Sequence, residues 1–174
     1  YVEALEQLES LYREAEAPLD LARTLELRAG VLHGPARAAL LDESSVHYAR
    51  SDESAHALET AVAAAEVLPT AERLLVVAKL HADAGQLEDA AHARLRASAL
   101  VEGQDRAAMM LEAADGLAAA GRHDEAMETW ASVHAGAPDV LPALDFAKRL
   151  ADRRLTLDVT PEALAWLASE GNDP

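Results

Sequence analysis

Cysteine is absent from the 174 residues. That removes disulfides, thiolate catalysis and cysteine-ligated zinc from the chemistry open to this chain. Aromatic residues make up only 3% and β-branched residues are sparse, so little favours a sheet. Positive charge is scarce: 15 Lys and Arg stand against 31 Asp and Glu, a formal net charge of −16. Nucleic acid and anionic membrane both reward Lys/Arg clusters, so neither is expected as a partner. No apolar run approaches the length of a bilayer span, and membrane insertion is not expected.

Chemical motifs are missing as well. The Gly-containing stretches "GRHDEA" and "GQLEDA" lack the Lys-Ser/Thr of a phosphate loop, and no Gly-x-Ser-x-Gly elbow occurs. The seven histidines are His33, His47, His56, His81, His92, His123 and His134. No two are four apart, as a zinc-binding helix needs. The paired acids Glu88-Asp89 and Asp124-Glu125 stand at expected helix starts, where they favour the dipole. Asp42-Glu43 forms a third pair, inside a helix. No catalytic, cofactor-binding or metal site is expected, and the chain is not expected to be an enzyme.

What the sequence does hold is helix. Apolar residues make up 51%, and much of this is Ala and Leu, the strongest helix formers. The stretches "ADAGQLEDAA" and "AAAGRHDEAM" are two copies of one hinge. In each, a Gly (Gly85, Gly121) follows an apolar run and stands five residues before an Ala (Ala90, Ala126) that opens another. A fixed period in the range of about 20–50 residues signals stacked repeats.

Taken in order, helical stripes are predicted over 2–15 (Leu5, Leu8, Leu11, Tyr12) and from Pro18 through Leu21, Leu25, Ala29 and Leu32. His33-Gly34-Pro35 interrupts them. A third helix over 36–50 carries an unusually polar interior, Asp42-Glu43-Ser44-Ser45. Asp52 is expected to cap the fourth and Thr70 the fifth, which spans Ala71 to Ala84 and is expected to be the most buried. The sixth runs from about Leu87 to Leu100 and is expected to end at Gly103; the seventh covers about 105–120; the eighth starts near Asp124 and ends at Gly136 and Pro138. A ninth is expected over about 139–153, with Pro142 in its first turn and Lys148, Arg149, Arg153 and Arg154 near its end. Thr160-Pro161-Glu162 starts a last one, which holds Trp166 and ends at Gly171. Trp130 and Trp166 lie in apolar stripes and read as packing residues.

The units resemble tetratricopeptide repeats. The unit at 107–138 carries Met110, Ala113, Ala114, Leu117, Gly121, Ala126, Trp130, Val133 and Pro138 in the family's order of bulky, small and turn residues. The unit at 71–102 carries Leu74, Val77, Ala78, His81, Gly85, Ala90, Arg94 and Ala97, with Glu102 where Pro is usual. The unit at 38–69 carries Leu41, Ser44, Ser45, Tyr48, Ala57, Ala61, Ala64 and Pro69, with Asp52 in place of Gly. A looser unit covers 2–34, and a half unit 139–154. Small residues let paired helices approach, so Ser45, Ala78 and Ala114 should face Ala57, Ala90 and Ala126.

The resemblance implies an all-α fold: a right-handed superhelical solenoid of antiparallel helix pairs, with about ten helices. The array would cover 1–154, with a capping helix and tail at 155–174. It also implies docking of a protein or peptide on a concave face lined by first helices. On this chain that face maps to Asp42, Val46, Arg50, Leu75, Lys79, Ala82, Leu111, Asp115 and Ala118. An apolar floor with charged edges suits an amphipathic helix or an extended apolar segment. The Lys/Asn clamp that some members use for acidic chaperone tails is absent, since the only Asn is Asn172.

The expected role is a non-catalytic scaffold or adaptor. The chain opens on Tyr1 rather than Met and is expected to be a segment of a larger bacterial protein, located in the cytoplasm. By analogy with long scaffolds of this style, a motility, polarity or envelope machine is the expected setting, with a small GTPase or machine subunit as partner. A small-molecule ligand is not expected on this reading. The alternative is a regulatory or sensor domain of a larger enzyme or transcription factor.

Overall fold

A computed structural model describes residues 2–152. The expected helix from Thr160, with Trp166, and the cations Arg153 and Arg154 lie outside the described residues. Among the described residues there are nine α-helices and no strand. They are α1 (Val2–Glu14), α2 (Pro18–Ala29), α3 (Gly34–Arg50), α4 (Ser54–Val67), α5 (Ala71–Asp83), α6 (Leu87–Ser98), α7 (Gly103–Ala119), α8 (His123–Gly136) and α9 (Ala143–Asp152). The chain divides into two compact units, one up to Ala93 and one from Arg94 onward.

One turn, repeated four times, makes these helix pairs. Glu16, Asp52, Gly85 and Gly121 all hold positive φ, at 50°, 60°, 76° and 81°. In each case the next residue's N–H returns to a carbonyl five residues back: Ala17 to Tyr12, Glu53 to Tyr48, Gln86 to His81, Arg122 to Leu117. The left-handed residue reverses the chain, and this bond satisfies a carbonyl that the finished helix leaves open. Five residues after each turn residue comes a buried one: Leu21, Ala57, Ala90 and Ala126. The loosely matching first unit therefore uses the same hinge, with Glu16 in the glycine position.

The first unit is centred on α3, which packs against both α2 and α4, while α1 packs on α2 and α4 on α5. Ala22, Tyr48 and Ala57 form one buried cluster under Leu19; Ala29, Leu41 and Ala64 form another with Leu40, Ala63 and Val67. Small residues at the contacts let the helices close on each other. Ser45 and Ala57 meet as expected, the Ser45 hydroxyl donating to the Ala57 carbonyl at 2.7 Å. In the second unit α8 packs against α7 and α9. Its core includes Ala113, Ala114, Leu117, Ala126, Val133, Leu141 and Trp130, which is 1% exposed.

Several local expectations are corrected. Asp52 is not a cap: α4 starts after Glu53 without a side-chain cap, and Asp52 occupies the left-handed turn. Thr70 does cap α5, its hydroxyl accepting from the Arg73 N–H at 3.3 Å. Gly103 does not end α6, which stops at Ser98; it opens α7 with φ +65°. α5 is not the most buried helix: it buries Leu74, Val77 and Ala78, whereas α4 buries Ala57, Thr60, Ala61, Ala64 and Ala65. Val76, in the apolar run of α5, is 51% exposed. Pro142 stands just before α9, its carbonyl accepting from Phe146. A ring without an N–H costs nothing there.

Candidate functional site

The candidate residues lie on first helices and are described unit by unit: α3 and α5 in one, α7 in the other. On α3, Asp42, Val46 and Arg50 are four apart, which sets them along one side of the helix. Val46 is 50% exposed and Arg50 is exposed; on α5, Lys79 is exposed while Leu75 and Ala82 are partly covered. On α7, Leu111 is partly covered, whereas Ala118, expected at the surface, is buried at 2% exposure.

The acids among these residues already have partners. Asp42 meets Arg73 of α5, with guanidinium nitrogens at 2.9 Å from a carboxylate oxygen. Arg73 also donates to the Leu68 carbonyl at 3.0 Å, which fixes the fork. In the second unit Asp115 accepts from the Trp130 indole N–H at 2.9 Å and from Arg149 of α9 at 3.0 and 3.2 Å. The hydrogen bond to Asp115 pushes the Arg149 pKa up, ahead of the opposing effect of burial. Asp115 is therefore a fastening point, and so is Asp42.

Glu43 reaches the other way, to Arg13 of α1. Arg13 also donates to Glu9, and its pKa is raised first by the bond to Glu9 and then by that to Glu43. Burial alone would raise the Glu9 carboxyl; hydrogen bonds from Arg13 and Arg28, with their charges, outweigh it and hold the group below its ordinary 4.5. Three ion pairs thus join successive first helices: Arg13–Glu43, Asp42–Arg73 and Asp115–Arg149. Each spans about one repeat of roughly 34 residues in sequence.

The polar interior of α3 now has an explanation. Ser44 donates to the Ala22 carbonyl on α2 at 2.9 Å, and Ser45 to Ala57 on α4. Asp42 goes to α5 and Glu43 to α1. Four consecutive side chains fasten α3 to four different helices. The sequence reading gives Arg149 only as a helix-end cation, and it assigns no role to Arg13, Arg73 or the Trp130–Asp115 bond. The available signal was opposite charge recurring about one repeat apart.

No group of three His, Asp or Glu side chains that could hold a metal occurs among the described residues. No helix among them is long and apolar enough to cross a membrane.

The crystal structure of MamA protein aligns with this chain at a TM-score of 0.54 and 14% identity, over 96% of this chain and 88% of that one. The fold is similar to that of MamA, which contains tetratricopeptide repeats. No family model matches the chain. A 28-residue stretch is 86% identical to the chaperone protein ClpB of Streptomyces albus G, covering 16% of this chain and 3% of ClpB. That stretch is shorter than one helix pair of the repeat. The likeness to MamA rests on the helix-pair architecture, since at 14% identity few side chains are shared.

Proposed function

We propose that this chain is a non-catalytic interaction scaffold that docks a protein partner on its first-helix face. The observation that supports this most is Val46: an apolar side chain left 50% exposed on the face lined by first helices, with Arg50 exposed on the same helix. The contact residues are Val46, Arg50, Leu75, Lys79 and Ala82, all in the unit that holds α3 and α5. Asp42 holds α3 and α5 together beneath them. A partner with an amphipathic helix or an extended apolar segment suits a surface of mixed apolar and cationic groups. A bacterial machine subunit is the proposed class of partner.

Photo-crosslinking from Val46 in source-cell lysate tests this reading, with the same crosslinker at the exposed Leu100 as control. One protein captured from Val46 and not from Leu100, and lost when Lys79→Glu is added, supports it. Identical capture from both positions refutes it.

A further inference from the structure

α1 carries an apolar stripe that its own unit leaves uncovered. Ala4, Leu8 and Leu11 recur every three or four residues, which sets them along one face of the helix. Ala15 continues the row, its N–H returning to the Leu11 carbonyl. All four are exposed, Leu8 at 38% and Leu11 at 59%. α1 buries only Leu5, and it meets α2 from another side, where Glu9 takes Arg28.

The repeated turn gives every first helix a common register. Leu8 stands eight residues before its turn residue Glu16, as Ser44 does before Asp52, Val77 before Gly85 and Ala113 before Gly121. Ser44, Val77 and Ala113 are buried, so Leu8 alone of the four is exposed. What covers Ser44 is α2, the second helix directly before α3: the hydroxyl donates to the Ala22 carbonyl. α5 packs on α4, again the helix directly before it. α1 matches α5 more closely than α3, since Leu8 and Leu11 answer to Val77 and Leu80, where α3 has Ser44 and His47. The helix seated on α5 buries Ala57, Ala61, Ala64 and Ala65. Small side chains of that kind leave room for a large apolar one opposite.

We propose that this face of α1 is an open repeat interface, filled by an alanine-rich second helix of a further repeat placed directly before α1 in the polypeptide. The connections support that order. α2 reaches α3 through residues 30–33 and α4 reaches α5 through 68–70, so each first helix takes the helix that precedes it. A second copy of the chain fits less well. Glu3 and Glu14, both exposed, border the stripe, and an antiparallel copy would set these acidic margins against each other in a chain of net charge −16. A repeat that caps an array needs a polar outer face, and the stripe on α1 is the opposite. The inference goes beyond the docking role and does not depend on it: the residue of α1 in the register of Val46 is Ser10, on another side of the helix.

Cysteine labelling tests it, because the chain has no thiol of its own. Leu8→Cys is introduced into the 174-residue chain and into a tandem protein in which residues 2–70 are joined ahead of residues 2–174. The junction puts Val2 in the place that Ala71 holds after Thr70, so a copy of α4 directly precedes α1; the substitution is made in the second module only. Circular dichroism checks that both proteins are helical. The introduced thiol should react fast in the chain alone and about tenfold or more slowly in the tandem. Leu100→Cys, at an exposed position, should react equally fast in both. Adding Leu11→Glu beside Leu8→Cys should restore the fast rate in the tandem. Equal rates at Leu8→Cys in the two proteins would overturn the proposal, and so would a slowing that survives Leu11→Glu. Slowing that grows with the concentration of the 174-residue chain alone would make the occupant a second copy and overturn it as well. Crosslinking at Val46 reads another side of the first helices, so the two readings fail separately.

Discussion

Asp42 and Arg73 join two successive first helices, with a guanidinium nitrogen 2.9 Å from a carboxylate oxygen. Asp42 keeps 41% of its side chain in solvent and Arg73 keeps 18%. Pairs as exposed as this contribute about 0.2–1 kcal/mol, and salt screens them. A double-mutant cycle with Asp42→Asn and Arg73→Gln should give a coupling of about 0.5 kcal/mol by urea unfolding. The coupling should shrink in about 1 M salt, where the screening length is only about 3 Å. A coupling indistinguishable from zero at low salt would mean the contact does not fasten the repeats.

Ser45 and Ala57 make a tighter test, because both are buried. Ser45→Ala removes one donor, while the Ala57 carbonyl is a helix-backbone group; the expected cost is about 1 kcal/mol. Ser45→Leu is different in kind. It forces a large side chain between α3 and α4 at a close approach, and the expected cost is about 3 kcal/mol or more. If both substitutions cost the same in chemical denaturation, the spacing argument for small residues is wrong.

The turn residues give a prediction of opposite sign. Asp52 holds φ +60° and is exposed, so Asp52→Gly relieves torsional strain and removes no buried contact. It should stabilise by about 0.5–1 kcal/mol, part of the relief being offset by a more flexible unfolded chain. Gly121→Ala should destabilise by about 1–2 kcal/mol. No atom lies within 4 Å of where its Cβ would stand, so the cost is torsional and not a clash. Thermal melts of the two variants should therefore move in opposite directions.

Alkaline pH should act through Tyr48. Burial first, and then the hydrogen bond to Glu26 and the charge of Glu26, push its pKa from 10.0 to about 12. The folded state prefers the neutral phenol. Its contribution is complete below pH 10 and is lost as pH rises through about 12. The loss should amount to about 2–3 kcal/mol. Tyr48→Phe should cost about 1 kcal/mol at pH 8, where the Glu26 bond is lost, and should flatten the alkaline limb. Unfolding free energies measured between pH 8 and 12 in both proteins decide the matter.

The repeat was legible at Gly85 and Gly121 because glycine advertises positive φ. The same turn at Glu16 and Asp52 was not, because those side chains suit many conformations. Trp130 declared itself a packing residue through its apolar stripe. Its partner Asp115 did not, since a carboxylate on a helix reads by default as solvated. Ser44 and Ser45 looked out of place inside α3 for a similar reason: their acceptors are backbone carbonyls of other helices, which sequence does not display. Repeat register alone puts Ala118 at the surface, whereas it is buried. Alanine fits either side of a helix, so only packing distinguishes them.

The four fastenings of α3 bear on how portable its repeat is. Repeat proteins invite cutting and grafting, because each module is expected to carry its own stability and a uniform interface. The module at 38–69 does not travel that way. Lifted into a foreign array, Glu43 and Asp42 would arrive without Arg13 and Arg73, and Ser44 without the Ala22 carbonyl. A graft that respects this chemistry carries α1, α2 and the first turn of α5 along with it.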